Sequence, residues 1–107
     1  MGNTNKTIST IMFTDIVGYS SMINNDESHA LDLLSKHDEI IEPIIKKNQG
    51  KIIKKIGDAI FAEFNESLSC IKTAIETQDL LHTRNKTSED KDKIIIRIGL
   101  HIGEVIR

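Results

Sequence analysis

Two rhythms of apolar and polar residues divide this chain of 107 residues. Residues 8–17, ISTIMFTDIV, are apolar and β-branched and stop at Gly18, which predicts a strand. Residues 26–48 change to helical spacing, with Ala30, Leu33, Leu34, His37, Ile40, Ile41, Ile44 and Ile45 on one stripe. Asn25 or Asp26 suits its start, Lys46 and Lys47 its negative end, and Gly50 its stop. Pro43 falls inside the stripe and predicts a kink or a break into two helices. Two short strands follow, KIIKKI over 51–56 and AIFAEF over 59–64, joined at Gly57-Asp58 as a tight hairpin. Asn65 is expected to cap a further helix whose inner stripe is Leu68, Ile71, Ala74, Ile75 and Leu81, with Cys70 beside it in the core. The polar stretch TRNKTSEDKDK reads as a solvated loop. A last strand, 94–102, turns Ile94, Ile96, Ile98, Leu100 and Ile102 one way and Ile95, Arg97, Gly99 and His101 the other.

The order is β-α-β-β-α-β, an α+β, ferredoxin-like arrangement with an antiparallel sheet and the helices on one face. The opposite face is left open for a ligand or a second chain. The expected organisation is one domain over 1–107 with an amino-terminal tail of about seven residues. Composition narrows the function. With 38% hydrophobic residues, 28% charged residues and a net charge of −2, the chain is neither disordered nor drawn to nucleic acid or acidic membranes. Tryptophan is absent and aromatics are few, which removes the stacking platforms of single-strand binders. Cys70 is the only cysteine, so a disulfide within the chain and a cysteine zinc site are excluded. No apolar run reaches the roughly 20 residues of a membrane span. MGNTNKTIST has no signal-peptide core, and Lys6 stands where a myristoylation signal wants Ser or Thr. A cytoplasmic domain without a membrane segment or nucleic-acid partner is expected.

Asp15 closes the first predicted strand and Asp58 sits in the hairpin. A ferredoxin-like sheet sets the first strand beside the strand after the hairpin, so the two carboxylates can converge at one end. Such a pair suits Mg²⁺ or Mn²⁺, hard cations that take oxygen ligands and few protein groups when phosphate supplies the rest. The turn Ile16-Val17-Gly18-Tyr19-Ser20 offers backbone N–H groups to phosphate oxygens. Each feature alone has an ordinary reading: a solvated strand-end aspartate, and common Gly-Asp turn chemistry. Their combination with the surrounding residues carries the argument.

FTDIVGYSSM (13–22), KIIKKIGDAIFAEF (51–64) and IRIGLHIGEV (96–105) resemble the first half of a class III adenylate/guanylate cyclase catalytic domain. The patterns F-x-D-I-x-G, K-x-x-G-D and R-x-G-x-H-x-G recur in order, from about Thr10 to Val105. The resemblance implies a head-to-tail dimer that converts ATP to 3′,5′-cyclic AMP and pyrophosphate at the subunit interface, with two Mg²⁺ or Mn²⁺ ions per site on Asp15 and Asp58. One ion lowers the pKa of the ribose 3′-hydroxyl and the other neutralises the triphosphate. Lys54 stands at the family's base-selecting position, where guanylate cyclases place Glu. A lysine donates to adenine N1, whereas Glu accepts from the guanine N1–H and amino group, so Lys54 favours ATP. The other reading of Lys54 is a solvent-facing strand residue.

Family members continue further, with a second adenine-selecting residue, an Asn that orients the ribose, a charge-stabilising Arg and a dimerisation arm. The expectation is a truncated cyclase domain, inactive or nearly so as these 107 residues alone. The alternative is a non-catalytic ferredoxin-like module that binds a nucleotide or partner through its open face. A diguanylate cyclase is disfavoured, because GDAIF (57–61) replaces the Gly-Gly-(Asp/Glu)-Glu-Phe hairpin of that group. Arg97 and His101 lie on the open face and are left out of the candidate site.

Overall fold

The computed structural model describes the backbone of residues 6–106 and the side chains of residues 8–104. In chain order the elements are β1 (Lys6–Ile16), α1 (Tyr19–Asn25), α2 (Glu27–Lys47), β2 (Lys51–Ile56), β3 (Ala59–Phe64), α3 (Ser67–Lys86) and β4 (Ile96–Ile106), with a 3₁₀ turn at Asp90–Asp92. The sheet order is β2-β3-β1-β4, and every neighbouring pair runs antiparallel. This is the expected α+β ferredoxin-like fold, with β1 at the centre. Of the expected tail, residues 1–5 lie outside the described residues, whereas Lys6 and Thr7 already pair with Ile106 and Val105.

Alternation along β1 and β3 divides the sheet into two faces. Met12, Thr14, Ile16, Ile60, Ala62 and Phe64 are buried, while Ile11, Phe13, Asp15, Phe61 and Glu63 between them are half-buried. The apolar members of this buried set pack with Leu33, Ile41 and Ile45 of α2, Cys70 and Leu81 of α3, and Ile94 and Ile96 into one core. Full burial of each large apolar side chain contributes roughly 1.5–3 kcal/mol, so this face supplies most of the drive to fold.

Asp26 ends α1 and caps α2, its carboxylate accepting the His29 N–H at 3.1 Å. Helix α1 lies ahead of the helix predicted over 26–48 and is an element the sequence pattern did not announce. No break occurs at Pro43, where α2 runs through. Pro43 and Glu39 are both exposed, so the carbonyl that loses its intrahelical donor turns to water. Buried Ile41, Ile44 and Ile45 hold the helix on either side. The left-handed residue that follows α2 is Gln49, φ 66°, and not Gly50.

The second half of the chain departs further from its sequence pattern. Glu66, without a side-chain cap bond, precedes α3 where Asn65 was expected to cap it. The buried stripe of α3 is Cys70, Thr73, Thr77 and Leu81. Leu68, Ile71 and Ile75, expected inside, are exposed, and Ala74 is half-buried. A helix presents only one stripe to a sheet, and α3 is rotated so that its small and β-branched residues meet the strands. The expected loop over residues 83–93 is partly helical, since α3 reaches Lys86. Asn85 then clamps the entry to β4, donating to the Ile94 carbonyl at 2.8 Å and accepting the Ile94 N–H at 3.0 Å.

Candidate active site

Strand β1 ends at the same edge of the molecule as the β2–β3 hairpin, because β1 and β3 are antiparallel neighbours with Thr14 opposite Ile60. Gly57 takes the left-handed conformation, φ 57°, that the two-residue turn requires, and Asp58 follows it. The Ile16 N–H donates to Asp58 Oδ2 at 2.7 Å and so ties the hairpin tip to the end of β1. Asp15 and Asp58, 43 positions apart by subtraction of their numbers, thus face one cavity of about 250 Å³. Ile16, Gly18, Tyr19, Ser20 and Arg97 complete its lining.

Gly18 makes the corner between β1 and α1. Its φ of 77° lies in the left-handed region, where an added Cβ is strained although open space surrounds it. Two of the five backbone donors in the predicted 16–20 cradle are already in use. Ile16 N–H goes to Asp58, and Val17 N–H goes to the Ile95 carbonyl at 2.8 Å. Of that turn Ile16, Gly18, Tyr19 and Ser20 line the cavity, and Val17 is not among its lining residues. The Tyr19 phenol is held above its usual pKa by burial first and then by the charge of Asp58, so it remains a neutral donor near pH 7.

Asp15 is not solitary. Arg97 Nε and Nη2 donate to its two carboxylate oxygens, each at 2.9 Å. The pairing is built into the sheet, since Asp15 and Arg97 are direct cross-strand partners. This contact was not anticipated from sequence. The signal for it was the antiparallel pairing of the first and last strands, which aligns the two residues once the register is known.

Lys54 lies away from this cavity, on the open face of the sheet. Its ammonium sits 5.1 Å from the ring centre of Phe61, which packs in turn against Phe13 with ring centres 5.0 Å apart. Such a cation–aromatic contact contributes about 0.5–1 kcal/mol at exposed sites and limits where the ammonium roams. Cys70 is chemically quiet: burial pushes its thiol up to about 11. Among the described residues no three His, Cys, Asp or Glu side chains cluster as a metal site, so protein ligands to an ion here number fewer than three such groups. No helix is long and apolar enough to cross a membrane among those residues.

The family model for the adenylate and guanylate cyclase catalytic domain matches residues 3–107. A Rhizobium meliloti (strain 1021) protein assigned by name to the adenylate cyclases is 28% identical over 101 residues, covering 92% of this chain and 17% of that protein. The serine/threonine-protein kinase pkn2 of Myxococcus xanthus is 31% identical over 99 residues, 91% of this chain and 12% of the kinase. Among solved structures, the adenylate/guanylate cyclase/hydrolase from Silicibacter pomeroyi superposes with a TM-score of 0.85 at 28% identity, covering 98% of this chain and 62% of that one. A bacterial light-regulated adenylyl cyclase shares the fold, with a TM-score of 0.88 at 24% identity over 95% of this chain and 56% of its own. The chain therefore spans under a fifth of these two curated relatives and a little over half of these solved chains.

Proposed function

The chain belongs to the adenylate and guanylate cyclase catalytic domain family, and from that premise we propose that it holds the metal-binding half of an adenylate cyclase site. The reaction is the conversion of ATP to 3′,5′-cyclic AMP and pyrophosphate between two cyclase chains paired head to tail. The observation that carries this reading is the convergence of Asp15 and Asp58 on one cavity beside the Gly18–Ser20 corner.

The donor set fits a hard divalent cation. Both side chains are carboxylates, and each carboxylate has about four lone-pair positions. The Ile16 N–H uses one on Asp58, which leaves acceptor capacity there for an ion. Two carboxylates with the remaining positions filled by phosphate oxygens and water is a ligand set that Mg²⁺ and Mn²⁺ accept. When bound, the ions would supply charge neutralisation on the triphosphate and acidification of the attacking hydroxyl. Asp15 and Asp58 would hold them. The Ile16–Asp58 bond anchors the Asp58 carboxylate beside the end of β1 that carries Asp15, which matters because positioning and charge stabilisation carry most of phosphoryl chemistry. Gly18, Tyr19 and Ser20, at the start of α1, line the same cavity, and free backbone N–H groups there would suit phosphate oxygens.

Lys54 supports the choice of ATP over GTP, since an ammonium donates to adenine N1 and has no acceptor for the guanine N1–H. Its distance from the Asp15–Asp58 cavity agrees with a role in the site completed by a second chain. The 107 residues do not include the Asn and Arg that the family resemblance assigns to ribose orientation and charge stabilisation. By themselves they are proposed to give little or no product.

The test pairs binding with turnover. Mn²⁺-dependent ATP binding by this chain is expected, with at least a tenfold loss in Asp15→Ala and in Asp58→Ala, followed by fluorescent nucleotide titration. Cyclic product is measured by mass spectrometry in the same samples. Binding that ignores both substitutions overturns the site assignment. Metal-dependent cyclic AMP formation would show that the residues present suffice. In any longer chain that forms cyclic nucleotide, Lys54→Glu is expected to move preference from ATP toward GTP.

A further inference from the structure

We propose that Arg97 is the resident cation of Asp15 and competes with a divalent ion for it, so that metal binds only as Arg97 lets go. The inference rests on the reading of Asp15 and Asp58 as metal ligands, and it concerns how that site is held when no metal occupies it.

Three observations carry it. The contact is a two-pronged fork, with Nε and Nη2 each 2.9 Å from a different Asp15 oxygen. Bidentate Arg–carboxylate pairs are the stronger and more directional kind, and this one engages both oxygens that an ion would approach. The contact is also fixed by the backbone, because β1 and β4 set Asp15 opposite Arg97. Finally, the two partners differ in exposure. The Asp15 side chain is 19% exposed and that of Arg97 is 72% exposed.

The asymmetry decides the behaviour. Asp15 is half-buried and shares its cavity with a second carboxylate, so a nearby positive charge stabilises it. Arg97 supplies one, and the charge of Asp58 reaches it as well. The guanidinium, however, stands mostly in solvent on a flexible stem, so it can swing off without opening the core. A dication at Asp15 places charge of the same sign beside the guanidinium and approaches the same two oxygens that its N–H groups engage. The two cations therefore exchange and do not share. An exposed pair of this geometry is worth about a two- to fivefold equilibrium factor, which is the handicap that Arg97 places on metal affinity.

The experiment is Mn²⁺ binding without nucleotide, read from the electron paramagnetic resonance signal of free Mn²⁺. Arg97→Ala is expected to bind Mn²⁺ about two- to fivefold more tightly than the wild-type chain. Arg97→Lys should fall between them, because an ammonium makes one contact where the fork makes two. In an Asp15→Ala background the Arg97→Ala gain should vanish. Unchanged or weaker binding in Arg97→Ala overturns the proposal, and so does a gain that survives Asp15→Ala, which would be a general effect of removing positive charge. A merely structural Arg97 would lower the melting temperature of the metal-free protein without moving the Mn²⁺ affinity. Absence of Mn²⁺ binding in both wild type and Arg97→Ala overturns the metal reading itself, and the competition with it. Binding that is intact in Asp58→Ala and Asp15→Ala places the ion elsewhere and has the same consequence.

Discussion

Gly50 illustrates how a single residue can be required for a reason its sequence context hides. It follows a helix, where glycine ordinarily supplies a left-handed conformation, yet Gln49 takes that conformation here. Gly50 is needed for space. A Cβ at this position would lie 2.5 Å from Phe64 Cε2 and 2.8 Å from Ile45 Cγ2, both in the packed core. Gly50→Ala is expected to cost about 1–3 kcal/mol, because the ring of a fully buried Phe64 has no room to yield. Urea unfolding checks it; a loss under about 0.5 kcal/mol would mean that the chain shifts to make room. At the candidate site the same scale matters. Asp15 was identifiable from sequence as a strand-end carboxylate, but its fork with Arg97 was not, since the two lie 82 residues apart.

At the scale of elements, α2 and α3 make opposite use of their sequences. Helix α2 buries most of the stripe that its spacing announces, with Leu34 and Ile40 half-buried at its margins and His37 inside, its Nδ1 2.9 Å from Asp38 Oδ1. Its start is fixed by Asp26, which accepts the His29 N–H and separates α1 from α2. Asp26→Ala is expected to destabilise the domain by roughly 0.5–2 kcal/mol, and Asp26→Asn much less, since the amide oxygen still accepts that bond. Thermal melts of the two variants separate loss of the cap from loss of charge. Helix α3 buries Cys70, Thr73, Thr77 and Leu81 and leaves apolar Leu68, Ile71 and Ile75 outside. Its position follows from the sheet: α3 packs on β1, β3 and β4 together, and small residues permit that close approach.

At the scale of the whole molecule, the apolar residues left outside form a pattern. Ile75 and Ala74 of α3 and Ile98 and Leu100 of β4 line a groove of about 360 Å³, and Ile102 continues along the strand with 58% exposure. Apolar surface grouped in this way binds hydrophobic dyes and favours association. The folded chain is expected to enhance anilinonaphthalene sulfonate fluorescence at neutral pH, and Ile75→Lys with Leu100→Lys to reduce that enhancement by more than half. Dye binding unchanged by both substitutions would place the exposed apolar surface elsewhere. The opposite face of the sheet differs in character, carrying Asp15, Arg97, Lys54 and the Phe13–Phe61 pair. One sheet thus separates an apolar side from a side equipped for charged ligands.

Legible in the sequence alone were the order of the four strands and two long helices, the hairpin at Gly57-Asp58, most of the buried stripe of α2, and the three motifs that mark a cyclase domain. These are local matters: turn chemistry, hydrophobic period and short patterns act over a few residues, and nothing distant overrode them. It took the assembled fold to show which side of α3 meets the sheet, why Gly50 must be glycine, which amides of the 16–20 turn are already hydrogen-bonded, and that Arg97 holds Asp15. Each of these depends on which strand lies beside which and in what register. Register is settled by packing the whole core at once, and no window of sequence contains that information.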